Sequence, residues 1–140
     1  MKKERDAGRA RLLGVSNVSL GHLEQMDAVG SETPAFVQNR CYARFGWDRE
    51  VRLFCRERKI VYQGFSLLTA NAEVLRHPVV TGLAGRDGGT PAQVVFAFAR
   101  AVGLLPLTGT SNGEHMKQDL ASSGLELSSD AVRAIEGLAG

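Results

Sequence analysis

Four short stretches of this sequence end in side chains that can hold a ligand. Gly14-Val15-Ser16-Asn17 ends in a hydroxyl and an amide. Ala35-Phe36-Val37-Gln38 ends in an amide and is followed by Asn39 and Arg40. The stretch from Ile60 ends at Phe65, with Ser66, Leu67 and Leu68 behind it. Leu104-Leu105-Pro106-Leu107 runs into the polar turn Thr108-Gly109-Thr110-Ser111-Asn112-Gly113-Glu114-His115. Amide side chains offer both donor and acceptor, which is what another carboxamide requires. Phe65 offers a flat face on which a ring can stack. Backbone N–H groups at a helix N-terminus favour an anion, and the hydroxyls of Thr110 and Ser111 add donors. Each feature also has a plain structural use: Phe65 suits a core, and Asn112 suits a helix cap. Along one rim, amides, an aromatic ring and an anion-binding loop together fit a dinucleotide.

The four stretches must be strands for that rim to exist. They are short and apolar and are bounded by turn residues, the pattern of strands buried on both faces in parallel sheets. Helical signals alternate with them. Ser19 caps a helix through His22, Leu23 and Met26. Trp47-Asp48-Arg49-Glu50 leads into a stripe at Val51, Phe54 and Cys55. Thr90 and Pro91 open the clearest helix, which Gly103 ends. Asn112 caps a further helix through Met116 and Leu120. Ser128 or Ser129 starts the last, with Val132, Ile135 and Leu138 facing inward. Gly82 to Gly89 is the end of a helix followed by a loop. The expected order is strand then helix, four times, in one domain spanning residues 1–140. Such repetition implies a parallel sheet covered by helices. The turn after the first strand lacks the glycine-rich fingerprint of an open dinucleotide fold. A closed eight-unit barrel needs roughly 250 residues, so four units in 140 residues are about half of one.

Composition narrows the function classes. The chain is 44% hydrophobic and 23% charged, with a formal net charge of +2. Its basic residues are spread out, and the run Met1 to Arg5 mixes signs, which excludes a nucleic-acid patch. Cys41 and Cys55 match no zinc spacing and read as small, half-buried thiols of a reducing compartment. No apolar run reaches the ~18 residues of a membrane span, and no signal peptide is visible. The expectation is a cytoplasmic protein that binds neither membrane nor nucleic acid.

Five ordered motifs carry a resemblance to a known family: Gly14 to Asn17, Pro34 to Gln38, Ile60 to Leu68, Thr90-Pro91-Ala92-Gln93-Val94, and Thr110-Ser111-Asn112. Together they resemble the carboxy-terminal half of the aldo-keto reductases, (β/α)8 barrels that move a hydride between NAD(P)H and a carbonyl. The resemblance implies that Ser16, Asn17 and Gln38 hydrogen-bond the nicotinamide carboxamide. Phe65 falls where the family has a Tyr stacked on the nicotinamide. Ser66 and Leu68 match positions near the pyrophosphate. Thr110, Ser111 and Asn112 match the loop around the adenosine 2′-phosphate, and Asp119 approaches the adenine. Gly109 and His115 stand where many members have Lys and Arg, so the choice between NAD and NADP stays open.

The resemblance also implies what these residues lack. Carbonyl reduction needs an acid to protonate the developing alkoxide. The family's catalytic Tyr, Lys, Asp and His lie on strands two to four of the barrel, and none is assigned here. Tyr62 is expected to pack within a strand, whereas Tyr42 can reach the rim. The lysines Lys2, Lys3, Lys59 and Lys117 lie away from it. His22 belongs to a helix, and His77 is expected to be solvated in a loop. Two functions are expected from this: a reductase half needing its complement, or a non-catalytic nucleotide-binding half barrel that self-associates.

Overall fold

Capping side chains place the helices. Ser19 accepts from His22 N–H, Thr90 from Gln93 N–H, Asn112 from Glu114 and His115 N–H, and Ser128 from Ala131 N–H. Each satisfies donors that a first helical turn leaves open, at about 1 kcal/mol apiece. At Ser19 and Thr90 the third helical side chain reaches back to complete a capping box. The computed structural model describes residues 2–138. Met1, in the mixed-charge run, lies outside the described residues.

The elements in order are α1 (Lys2–Asp6), β1 (Gly14–Ser16), α2 (Leu20–Ala28), β2 (Phe36–Arg40), a 3-10 turn (Ala43–Asp48), α3 (Arg49–Glu57), β3 (Val61–Phe65), α4 (Ala72–Arg76), α5 (Pro78–Asp87), α6 (Pro91–Ala101), β4 (Leu105–Pro106), α7 (Gly113–Ala121), a second 3-10 turn (Ser122–Gly124) and α8 (Ser129–Glu136). The strands form one sheet in the order β1-β2-β3-β4, and all pairs are parallel. This is the expected half of a (β/α)8 barrel.

The register sorts the strand side chains by face. Val15, Val37 and Tyr62 lie in one row across the sheet; Ser16, Gln38, Gln63 and Leu105 lie in the next. Successive strand residues point to opposite faces, so the two rows look opposite ways. Val37 and Tyr62 are buried at 0% and 2% exposure. With them pack Phe54 and Cys55 from α3, Val80 from α5, Val94, Val95 and Phe98 from α6, and Ile135 from α8. Trp47 lies in this core, its ring centroid 4.8 Å from that of Phe98, and its Nε1–H donates to Ile135 O at 3.2 Å. A Cβ on Gly64 would sit 2.8 Å from Leu104 Cδ1, so glycine lets α6 end close against the sheet.

Several expectations are corrected. The strands are not buried on both faces: β2 and β3 alternate, and β1 and β4 are largely exposed. Among the described residues no helix layer covers the Leu105 side of the sheet, and Leu105 and Val61 remain 46% and 41% exposed. The units are not simple strand–helix pairs, because three helices separate β3 from β4 and two follow β4. Trp47 and Asp48 do not begin α3; with Gly46 they form a left-handed stretch at φ 69°, 56° and 55°. His77 is not a loop residue in solvent but the N-cap of α5, accepting from Val79 N–H. Cys41 and Cys55 are fully buried.

Arg52 joins the helical layer from inside. Its Nε donates to Trp47 O at 2.8 Å, one Nη to Val102 O at 3.0 Å and the other to Glu136 Oε1 at 2.7 Å. Removing the guanidinium strands two carbonyls and a half-buried carboxylate. Arg52→Ala is expected to lower stability by about 2–4 kcal/mol, read as a shift of the urea midpoint. The two thiols give a pH prediction. Burial pushes Cys41 up to about 12 and Cys55 to about 11 from an ordinary 9.0. A raised folded pKa adds stability that is intact below the unfolded value and lost as pH rises through the folded one. Stability should therefore decline between pH 9 and 12, and the Cys41→Ala, Cys55→Ala double variant should show a shallower decline.

Candidate functional site

The strand ends converge on one rim because all four strands run the same way. Main-chain bonds tie their exits together: Asn17 N–H donates to Gln38 O at 3.0 Å, Cys41 N–H to Phe65 O at 3.2 Å, and Leu107 N–H to Gly64 O at 2.8 Å. Between the exits of β3 and β4 lies a cleft of about 340 Å³ lined by Phe65, Ser66, Leu67, Leu68, Thr69, Phe96, Leu107, Thr108 and Gly109. A neighbouring cavity of about 520 Å³ includes Gly109, Thr110, Met116 and Asp119 in its walls.

The expected residues fall into three groups. Ser16, Asn17 and Gln38 stand together at the ends of β1 and β2. Ser16 Oγ donates to Gln38 O at 2.8 Å, and Asn17 Nδ2 donates to Ser16 Oγ at 3.1 Å. Gln38 Nε2 donates to Gln63 Oε1 at 3.2 Å. Among the described residues no donor reaches Asn17 Oδ1 or Gln38 Oε1, so both can accept from a ligand amide. Phe65, Ser66, Leu68 and Gly109 line the cleft, and Thr110 and Asp119 line its neighbour. Ser111, Asn112 and His115 are exposed at the start of α7 and line neither cavity.

The turn before α7 is less open to an anion than its composition suggests. Asn112 N–H is taken by Thr110 Oγ1 at 3.1 Å. The N–H groups of Glu114 and His115 are taken by Asn112 Oδ1. Asp119 accepts from Thr108 Oγ1 at 2.6 Å. The cations nearby are also engaged, Lys117 with Glu114 at 2.8 Å and Arg100 with Ser122.

Two backbone positions stand out. Asn17 and Ser66, each directly after a strand, have φ of 56° and 57°. Left-handed backbone costs a serine on the order of 1 kcal/mol and persists only where its surroundings impose it, often beside ligands. Beside Ser66 the loop is held by Asn71, fully buried, whose importance sequence reading missed. Its Nδ2 donates to Leu67 O at 2.8 Å and to Cys41 O at 2.9 Å, and its Oδ1 accepts from Ala43 N–H at 2.7 Å. It stands before α4, where a cap is expected, yet it makes no side-chain cap bond.

Asn39 and Tyr62 are corrected as ligand candidates or confirmed as packing groups by one network. Asn39 lies opposite Gly64 on the buried face; its Nδ2 donates to Val18 O and to Asp48 Oδ2, and its Oδ1 accepts from Val18 N–H. Tyr62 Oη donates to the same Asp48 oxygen at 2.6 Å, and burial pushes its phenol well above its ordinary range. Tyr62 is thus inside a strand and packed, as expected, and unsuited to donate a proton at the rim. Tyr42 does stand near the rim, its Oη accepting from Arg40 Nη1 at 3.3 Å.

Four parallel strands in sequence order, with helices packed on one face, define half of a (β/α)8 barrel. No family model matches the chain. An aldo-keto reductase of Mycolicibacterium vanbaalenii is 30% identical over 138 residues, covering 99% of this chain and 49% of that protein. The crystal structure of Gox0644 in its apo form superposes with a TM-score of 0.88 at 28% identity, covering 99% of this chain and 51% of that one. A variant of Gox0644 in complex with NADPH gives a TM-score of 0.87 at the same identity and coverage. The chain spans about half the length of the relatives it matches. In sequence and fold it corresponds to the carboxy-terminal half of an aldo-keto reductase, strands five to eight of the barrel. Among the described residues no helix is long and apolar enough to cross a membrane.

Replacing Asn71 by Ala leaves Leu67 O, Cys41 O and Ala43 N–H unpaired in the core. The expected loss is about 2–4 kcal/mol. Amide exchange at residues 66–70 should accelerate more than in α6, which separates a loosened rim from general destabilisation.

Proposed function

We propose that this chain supplies the nucleotide-holding half of an NAD(P)-dependent oxidoreductase acting on aldehydes or ketones. The observation that carries this reading is the single rim joining the amides of Asn17 and Gln38 to the cleft at Phe65, Ser66, Leu68 and Gly109. Ser16, Asn17 and Gln38 would hold the nicotinamide carboxamide, with Phe65 as the stacking face. Ser66 and Leu68 border the pyrophosphate. Gly109, Thr110, Ser111, Asn112, His115 and Asp119 border the adenosine end. The nicotinamide, when bound, supplies the hydride; these side chains orient it.

This half does not supply the acid. Tyr62 is buried and committed to Asp48, and Tyr42 has no lysine beside it among its bonded neighbours. We expect no NAD(P)H oxidation above background with a panel of aldehydes by the 140-residue chain alone, and measured turnover would overturn this part of the reading. Quenching of intrinsic fluorescence should nevertheless saturate with NADH and NADPH. Phe65→Ala should weaken both by about tenfold, as loss of a stacking face implies. The engaged cations near Thr110 leave the 2′-phosphate without a partner among the described residues, so the two dissociation constants should agree within about tenfold. Absence of saturation with either nucleotide would sink the reading.

A second reading is favoured by the open face of the sheet. Among the described residues β1 and β4 each have one unpaired edge, and Val61 on β3 and Leu105 on β4 stand exposed. Two copies related by a two-fold axis could set β4 of one beside β1 of the other and close eight strands. Sedimentation should then give a dimer that Leu105→Lys dissociates; a monomer at all concentrations rules the pairing out.

A further inference from the structure

Beside the cleft is a second cavity, of about 530 Å³, lined by Arg40, Tyr42, Arg44, Thr69, Ala70 and Glu73. Thr69 lines both, so the two adjoin. Two guanidinium groups meet on one phenol ring here. Arg40 Nη1 donates to Tyr42 Oη at 3.3 Å, and Arg44 Cζ lies 5.0 Å from the Tyr42 ring centroid. Each also touches another aromatic: Arg40 Cζ lies 5.5 Å from the Phe65 centroid, and Arg44 Cζ lies 4.7 Å from that of Phe45.

Six arginines pair with carboxylates, at Arg5, Arg9, Arg52, Arg58, Arg86 and Arg133, while others, Arg11, Arg49, Arg56, Arg76 and Arg100, form no ion pair among the described residues. What sets Arg40 and Arg44 apart is that they share one cavity wall and one tyrosine. Arg40 and Arg44 have no such partner within ion-pair distance among the described residues. Glu73 shares the cavity without pairing with either. Two like charges gathered on one ring repel each other, and an anion between them removes that cost. Stacking occupies the face of a guanidinium and leaves its N–H edge open, and that edge matches an oxyanion in a two-bond fork. The hydroxyls of Tyr42 and Thr69 add donors.

We propose that this cavity is an oxyanion site that takes the carboxylate of a small organic acid, separate from the nucleotide cleft. Its place beside Phe65 makes it the anchor of a carbonyl substrate that carries an acid group. That second step rests on the oxidoreductase reading; the oxyanion site itself does not. The alternative source of an oxyanion is the nucleotide's own pyrophosphate, and the test separates the two.

The probe is pyruvate, titrated into the full chain without nucleotide while the Arg40 and Arg44 Nε–H signals are followed by NMR. Both signals should shift saturably, and sodium chloride at equal ionic strength should not reproduce the shift. Arg44→Gln should weaken pyruvate about tenfold, since one charge-assisted fork is lost. Glu73→Gln should tighten it severalfold by removing the one negative charge in the wall. Both side chains are exposed enough for the variants to fold. A shift that never saturates, or an unchanged affinity in Arg44→Gln, overturns the proposal. Repeating the titration with saturating NADH should leave pyruvate bound; displacement would assign the site to the pyrophosphate and overturn it. Failure of NADH to bind at all counts against the oxidoreductase reading, and the pyruvate result then stands by itself.

Discussion

One buried carboxamide sets the shape of the rim. Asn71 bonds to Cys41 and Ala43 beyond β2 and to Leu67 beyond β3, so two loops of different strands share one partner. Without it, Leu67 O, Cys41 O and Ala43 N–H lose their shared partner, and the link between the two exits falls back on the sheet ladder and the Cys41 N–H bond to Phe65 O. The bonds are buried and fully satisfied, the condition under which polar groups specify one arrangement rather than several.

A second constraint follows from having a sheet covered on one side. The helix-facing row is apolar and closed; the other row carries Ser16, Gln38, Gln63 and Leu105. The Gln38–Gln63 bond satisfies part of each amide while leaving acceptors at the edge. The interior of a complete barrel is usually a packed core of branched apolar residues. This face is instead polar at its centre, and its character changes from apolar at Phe36 to charged at Arg40 within one strand.

The legibility of the fold in the sequence followed the range of each interaction. Caps at Ser19, Thr90, Asn112 and Ser128 were readable because a cap needs only its own first turn. The half-barrel architecture was readable from the alternation of short apolar runs with capped helices. Strand parity was not. Gln38 and Asn39 are neighbouring amides of similar chemistry, and only the register decides that Gln38 faces the open side while Asn39 is spent on Val18 and Asp48. The turn at Thr110 shows the same limit: composition shows donors, and only the structure shows that the N–H groups of Asn112, Glu114 and His115 are already taken. Asn71 was missed because two of its three partners, Ala43 and Cys41, lie 28 and 30 residues away. Gly82 to Gly89 was readable as a helix end followed by a loop: α5 runs to Asp87 and a left-handed Gly88 closes it.

The strand order also bears on time. Every strand pairs with the strand before or after it in sequence, and no connection waits for a distant partner. Each pairing still closes a parallel crossover, 22 residues from Gly14 to Phe36 and 42 from Gln63 to Leu105, which is slow beside the closing of a hairpin. On a ribosome, β1 and β2 can meet as soon as β2 has emerged behind α2, and β3 can add to a template already laid down. The order in which this sheet is built can therefore be the order in which it is translated.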